Sequence, residues 1–185
     1  MRYAEYYKEM HNKSMFKAWK SIEETNYQQK HLDRIYGAMK ATRSKTLLDF
    51  GCGKADQYLQ GKVHKKMGIS SMKDILLYDP GVEKYSNRPE DTVDVTIAFD
   101  VLEHIPRDEL PEVFEYIFSH TRNFCYFTIH CGLAAKTLPN GENAHCTIMS
   151  EKSWEMFVSQ YNKNDIPVMY SFRIPLNPAF NILNL

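Results

Sequence analysis

Carboxylates, glycines and histidines stand where short apolar runs of the sequence end. The first run closes with Asp49-Phe50-Gly51-Cys52-Gly53, the second with Asp79-Pro80-Gly81, and the third with Asp100, followed by Glu103 and His104. Glycines permit a sharp turn and let the backbone approach a ligand closely. A carboxylate at a strand end can accept hydrogen bonds from the two hydroxyls of a ribose. Together the three places predict a site for a ligand that contains a nucleoside.

A second group of residues could act on a substrate held beside that ligand. Asp100, Glu103 and His104 are spaced i, i+3 and i+4, so they share one face if a helix begins there. His104 and His145 are the candidate catalytic residues, because an imidazole titrates near neutral pH and can move or orient a proton. A structural alternative stays open for both residues. His104 could cap a helix start, and His145 could be polar surface in its loop.

The elements that position these residues alternate between strands and helices. Apolar runs predict strands at 46–50, 75–78, 93–99, 124–129 and 168–174, and apolar periodicity predicts helices within 3–42, at 107–121 and, with Ser150 as N-cap, at 150–161. Strands alternating with helices favour crossover units. The sequence therefore predicts an α/β fold: a Rossmann-like, doubly wound, mainly parallel sheet with helices on both faces. Only 14 residues separate Asp79 from Asp94, so a third strand there is expected to be reduced or missing.

The chain length fits a single domain. Within its 185 residues we expect four segments: an N-terminal helical segment (1–44), a cofactor-binding core (45–130), a lid loop (131–149), and a C-terminal helix and strand (150–185). A connection as long as 131–149 is more often a functional lid than filler.

The motifs resemble those of the class I (Rossmann-like) S-adenosylmethionine (SAM)-dependent methyltransferases. The similarity runs from about Thr46 to Ile129 and is carried by Leu-Leu-Asp-Phe-Gly-Cys-Gly-Lys-Ala, by Asp79, and by Asp-Val-Leu-Glu-His-Ile. Ala55 stands where the family often has a third glycine. The resemblance implies SAM as cofactor. It assigns the methionine end to Asp49, Gly51 and Gly53, and Cys52 between the glycines is a further cofactor-binding residue. It assigns the ribose to Asp79, the adenine to Pro80, and the neighbourhood of the methyl group to Asp100, Val101 and Leu102.

The resemblance leaves the methyl acceptor open. The first reading is an enzyme that methylates oxygen or nitrogen of a small polar molecule. The second is metal-assisted 2′-O-methylation of an RNA end or nucleotide, because Asp100, Glu103 and His104, followed later by His145, resemble the motif of enzymes with this activity. This reading implies that these four residues bind a divalent ion (Mg, Mn or Fe). The third is a non-catalytic SAM-binding partner or sensor. The stretch from Leu138 to His145 also resembles methyltransferase-like proteins of phages and bacteria.

The charge, the cysteine content and the apolar runs indicate which kinds of partner and which cellular compartment to expect. The formal net charge is +0, which does not favour nucleic acid, although residues 1–45 carry ten Lys/Arg against five Asp/Glu. The four cysteines form no CxxC pair, and no apolar run approaches the ~20 residues of a membrane span. We expect a cytoplasmic protein whose cysteines are reduced. We expect it to act on a small molecule and to have no membrane as a partner. The sequence makes no prediction of oligomeric state.

Overall fold

Five strands form one sheet in the order β2-β1-β3-β4-β5, and every neighbouring pair is parallel. The computed structural model describes residues 4–12 and 26–175. Its strands are β1 (Leu47–Phe50), β2 (Ile75–Tyr78), β3 (Val93–Phe99), β4 (Thr121–His130) and β5 (Val168–Arg173). Its helices are α1 (Ala4–Asn12), α2 (Asn26–Thr42), α3 (Asp56–Leu59), α4 (Val63–Lys66), α5 (Leu110–His120) and α6 (Glu151–Ser159). The predicted α/β, parallel architecture is confirmed.

Hydrophobic cores cover both faces of the sheet, since successive side chains of a strand point to opposite sides. Leu48 of β1 packs in the core that includes α5 and α6, whereas its neighbour Leu47 packs in the core that includes α2, α3 and α4. Trp154 of α6 and Ile35 of α2 are each 0% exposed. Helices therefore cover both faces of the sheet, and because all neighbouring strands are parallel, their carboxyl ends lie at a common edge.

Local hydrogen bonds lie at the ends of individual helices and strands. The Ser150 hydroxyl accepts a hydrogen bond from the Ser153 N–H, which confirms Ser150 as the N-cap of α6. Strand β4 begins three residues earlier than predicted, at Thr121 directly after α5, where the Thr121 hydroxyl bonds the Thr96 hydroxyl of β3 at 2.5 Å. The part of the helices predicted within 3–42 that falls on residues 13–25 lies outside the described residues.

Residues 79–92, all of them described, contain no strand, as their length predicted. A 3-10 turn at Glu83–Tyr85 is followed by a stretch tied to α5. The Arg88 guanidinium lies 5.2 Å from the Tyr116 ring centroid and pairs with Glu112 at 2.6 Å. The Tyr116 hydroxyl donates to the carbonyl of Pro89. These contacts hold the stretch against α5 without adding a strand.

Helix α1 lies over loops at the carboxyl edge of the sheet. Met10 is 0% exposed and packs with Leu138 and Ala144 of the loop 131–149. Within the described ranges, no helix combines the length and apolar character that crossing a membrane requires.

Candidate functional site

The tips of β1 and β2 are joined by backbone and carboxylate hydrogen bonds. The N–H groups of Gly51 and Cys52 donate to the carbonyl of Tyr78 at 2.7 and 3.1 Å. The Gly53 N–H donates to Asp79 Oδ2 at 2.8 Å, and the Gly81 N–H donates to Oδ1 of the same carboxylate at 2.8 Å. Each Asp79 oxygen keeps a further lone pair, and the residue is 8% exposed. Asp79 is thus fixed at the strand end where the sequence predicted it.

Gly51 is required by the approach of the next strand tip. Its φ is +88°, a left-handed conformation that favours glycine. A Cβ at this position would lie 2.8 Å from Cγ1 of Val101 and closer still to Cγ2. Val101 follows β3, so the ends of β1 and β3 touch at this point. The three motifs that the sequence singled out therefore do meet at one edge of the sheet.

Asp49 lies beneath this turn rather than on its surface. The side chain is 3% exposed, and its Oδ2 accepts hydrogen bonds from Tyr58 Oη at 2.8 Å and Gln57 Nε2 at 3.1 Å. Burial raises the pKa of Asp49 to about 7, against the lowering effect of those two hydrogen bonds. Gln57 also donates to the carbonyl of Cys52. Asp49 and α3 together brace the glycine turn from below.

The remaining predicted cofactor residues occupy different surroundings. Pro80 is half-buried beside Asp79, Cys52 is buried, and Leu102 is 0% exposed. The Asp100 carboxylate pairs with Arg173 at the end of β5 and accepts a hydrogen bond from the Thr128 hydroxyl at 2.9 Å. Asp100 therefore links the tips of β3, β4 and β5.

Glu103 is a buried carboxyl with one free oxygen. It is 0% exposed; Oε1 accepts the backbone N–H of His130 at 2.9 Å, while Oε2 has no hydrogen-bond partner among the described residues. Burial raises the pKa of Glu103 to about 7. A buried polar atom without a partner is costly, so one in a native fold calls for a ligand or proton.

Two imidazoles face this carboxyl. Among the described residues, one ligand atom each from Glu103, His104 and His145 lies within 4.8 Å of the others, a spacing suited to one metal ion. His104 Nδ1 is 2.8 Å from the carbonyl of Ala144, and His145 Nδ1 is 2.5 Å from the carbonyl of Gly132. Carbonyls only accept, so both Nδ1 atoms carry hydrogen and both Nε2 atoms keep a lone pair.

The imidazoles are neutral at pH 7. Burial, reinforced by the neighbouring His145, lowers the pKa of His104 to about 4, and burial likewise lowers the pKa of His145. Neutral imidazole is the form that binds a metal or accepts a proton. The metal residues predicted from sequence are therefore brought together except for Asp100, whose carboxylate is paired with Arg173 outside this group.

Hydrogen bonds hold the loop 131–149 on both sides of His145, to the turn after β3 on one side and within the loop itself on the other. The Thr147 N–H donates to the carbonyl of Glu103 at 3.0 Å, and its hydroxyl donates to the carbonyl of Ile105 at 2.7 Å. On the other side, the Asn143 amide bonds both backbone groups of Ala134. The lid of the sequence analysis is thus an ordered loop that delivers His145.

Sequence reasoning missed the contribution of α1. The Tyr7 hydroxyl lies 3.1 Å from His104 Nδ1, and His11 Nε2 lies 4.0 Å from Asp79 Oδ1. A Cβ on Gly81 would lie 2.9 Å from Tyr7 Cβ. These contacts span about 70 to 100 positions of sequence, and the amphipathic pattern of α1 carried no signal of them. His130 is a further neighbour, its ring centroid 5.0 Å from that of His145.

Comparisons of the chain with protein-family models, with curated proteins and with solved structures find no match.

Proposed function

We propose that the protein is a SAM-dependent methyltransferase that methylates an oxygen or nitrogen of a small polar acceptor. The observation that carries the proposal is the meeting of three parallel strand tips: the Gly51–Gly53 turn, the Asp79 carboxylate and Val101. In open parallel sheets such a carboxyl edge is where nucleotide ligands bind.

The residues at this edge fit the adenosine part of that cofactor. The backbone N–H groups of Gly53 and Gly81 hold the Asp79 carboxylate in place, and its remaining lone pairs can accept two ribose hydroxyls. When bound, SAM supplies a methyl group that is already activated by the sulfonium. The protein then has to position the acceptor and take up its proton. His104 Nε2, with its lone pair, is the candidate proton acceptor.

Binding of the demethylated product, S-adenosylhomocysteine, tests the cofactor. A ligand that binds only the folded form raises stability, by about 2.7 kcal/mol at 100 times its Kd. Asp79→Ala should abolish most of the thermal shift produced by the product. Asp74→Ala is the matched control, because Asp74 stands at the opposite end of the same strand. Equal shifts in wild type and Asp79→Ala would contradict the ribose assignment, and no shift in wild type would contradict the cofactor.

A second candidate, metal-assisted methylation, is favoured by two observations. Glu103 Oε2 has no hydrogen-bond partner among the described residues, and one ligand atom each of Glu103, His104 and His145 lies within 4.8 Å of the others. One carboxylate and two imidazoles suit Mn or Fe(II). A divalent ion bound there would acidify an acceptor hydroxyl. The carbonyls of Ala144 and Gly132, which accept hydrogen bonds from the two Nδ1 atoms, fix the tautomers of the imidazoles, as in known metal sites. In this arrangement Nε2 of His104 is a ligand rather than a proton acceptor.

Manganese binding separates the two candidates. Isothermal titration of the chelator-treated protein should show one site that His145→Ala weakens at least tenfold. His120→Ala is the control, since His120 ends α5 and bonds the carbonyl of Tyr116. Turnover on an RNA with a free 3′ end that stops with chelator would favour the nucleic-acid acceptor. Metal-independent turnover on small polar molecules would dispose of the metal-assisted mechanism.

A further inference from the structure

The hydroxyl of Tyr7 meets three separate parts of the chain at one point. Its oxygen lies 3.0 Å from the carbonyl oxygen of Ala144, 3.1 Å from His104 Nδ1 and 3.4 Å from the carbonyl oxygen of His104. The Ala144 carbonyl is also 2.8 Å from His104 Nδ1. Tyr7 belongs to α1, His104 to the 3-10 turn Leu102–His104, and Ala144 to the loop 131–149. One hydrogen-bonded group therefore joins the three segments that surround the candidate site.

The direction of these hydrogen bonds follows from the chemistry of the partners. Because the Ala144 carbonyl can only accept, both His104 Nδ1 and the Tyr7 hydroxyl donate to it. This fixes the His104 tautomer and leaves Nε2 as the free nitrogen. Ala144 directly precedes His145, so the same carbonyl group sets the backbone from which the second imidazole extends.

The position of the Tyr7 ring is set by packing that does not involve its hydroxyl. The ring meets the His104 imidazole edge to face, with centroids 5.6 Å apart. Met10, one turn further along α1, is 0% exposed against Leu138 and Ala144. Gly81 allows α1 to lie close to the loop after β2, because a Cβ at position 81 would lie 3.2 Å from the backbone nitrogen of Lys8. A Tyr7→Phe variant can therefore keep the docking of α1 and lose only the hydrogen bonds.

We propose that Tyr7 is a positioning residue that holds the His104 and His145 imidazoles so that their Nε2 atoms converge with Glu103 Oε2 on one divalent metal ion. The proposal rests on the metal-assisted form of the proposed function. Tyr7 touches neither the metal nor a substrate; it acts through the Ala144 carbonyl and His104 Nδ1. Outer partners of this kind typically contribute 10–100-fold to metal affinity.

Cobalt(II) titration of the chelator-treated protein, followed by its visible absorption, tests the proposal. Tyr7→Phe should bind cobalt about tenfold more weakly than wild type, with an altered absorption spectrum. Tyr36→Phe is the matched control, because the Tyr36 ring is 44% exposed on α2; it should bind like wild type. Equal affinity and equal spectra for Tyr7→Phe and wild type would overturn the proposal.

A metal-free measurement keeps the two levels of inference apart. Nitrogen-15 NMR of the imidazoles should show His104 as a single Nδ1–H tautomer in wild type. It should show a mixture in Tyr7→Phe, because the Ala144 carbonyl that accepts from Nδ1 is itself held in place by the Tyr7 hydroxyl. If wild type binds no cobalt, the metal-assisted function fails, and a mixture in Tyr7→Phe still supports the positioning of His104 by Tyr7. A single unchanged tautomer in Tyr7→Phe would show that the hydroxyl does not position His104.

Discussion

At the residue scale, two aspartates of the sheet have opposite electrostatic surroundings. Asp49 is buried below the glycine turn, and burial raises its pKa to about 7. Asp94 is also affected by burial, but hydrogen bonds from the backbone N–H of Lys45 and from Arg122 outweigh it and hold the pKa at about 2. Folding therefore favours the protonated form of Asp49 and the ionised form of Asp94. Asp49 therefore supports the glycine turn through its hydrogen bonds, and its ionised form is disfavoured unless a cationic ligand lies beside it.

This difference predicts how stability changes with pH. Between about pH 4 and 7 the folded protein holds more protons at Asp49 than the unfolded chain, so the contribution of Asp49 to the free energy of unfolding should fall as pH rises. Asp49→Asn keeps an oxygen for Tyr58 and Gln57, removes this dependence, and should be more stable than wild type at pH 8 by about 2–4 kcal/mol. Urea unfolding at pH 5 and 8 measures it.

Asp94→Asn is the control for that experiment, since it removes an ionised partner of Arg122. The stability that ionised Asp94 contributes is lost only as pH falls through its pKa of about 2. Asp94→Asn should therefore be less stable than wild type at both pH 5 and pH 8, with an unchanged slope between them. An Asp49→Asn variant with the same slope as wild type would show that Asp49 ionises at the same pH in the folded protein as in the unfolded chain.

At the element scale, the sequence predicted the sheet well and its surroundings less well. The run 75–78 is apolar on both faces, the run 93–99 is apolar at alternate positions, and both end at turn residues, so their bounds could be read locally. The ion pair of Asp100 with Arg173 and the docking of α1 join distant parts of the chain. Such contacts depend on how elements pack, and a single sequence carries no local signal of them.

The contact between the tips of β1 and β3 predicts that a side chain larger than glycine at position 51 lowers stability. Gly51→Ala should destabilise the protein by about 1–3 kcal/mol more than Gly141→Ala. Both glycines have nearly the same φ, +88° and +86°, but a Cβ on Gly141 would have nothing within 4 Å. The matched pair separates backbone strain from overlap with Val101. Thermal or urea unfolding of both variants measures the difference.

A double variant identifies the cause of that difference. Val101→Ala removes the two methyl groups that the new Cβ would meet, so it should cost less stability in the Gly51→Ala background than in wild type. Purely additive effects of the two substitutions would show that Val101 is not the group that requires glycine at position 51.

At the scale of the whole molecule, α1 covers the edge where the cofactor is proposed to bind. His11 lies 4.0 Å from the Asp79 carboxylate, and the Tyr7 hydroxyl reaches His104. The contacts of α1 are with loops, whereas α5 packs on the face of the sheet. Because His11 lies beside the Asp79 carboxylate, we expect the binding of a nucleoside there to require α1 to open first. Association of the ligand then depends on the fraction of molecules in which α1 is open.

Loosening α1 should therefore speed the binding of S-adenosylhomocysteine. Met10→Ala removes a side chain that is 0% exposed, a change that typically costs about 2–5 kcal/mol of packing, and here the loss falls on the closed state alone. Stopped-flow measurements should show a larger association rate constant for Met10→Ala than for wild type. Met156→Ala is the control, because Met156 is 58% exposed on α6. Hydrogen exchange of residues 4–12 measures the opening of α1 directly. If exchange is faster in Met10→Ala but the association rate constant is unchanged, the ligand reaches Asp79 without any movement of α1.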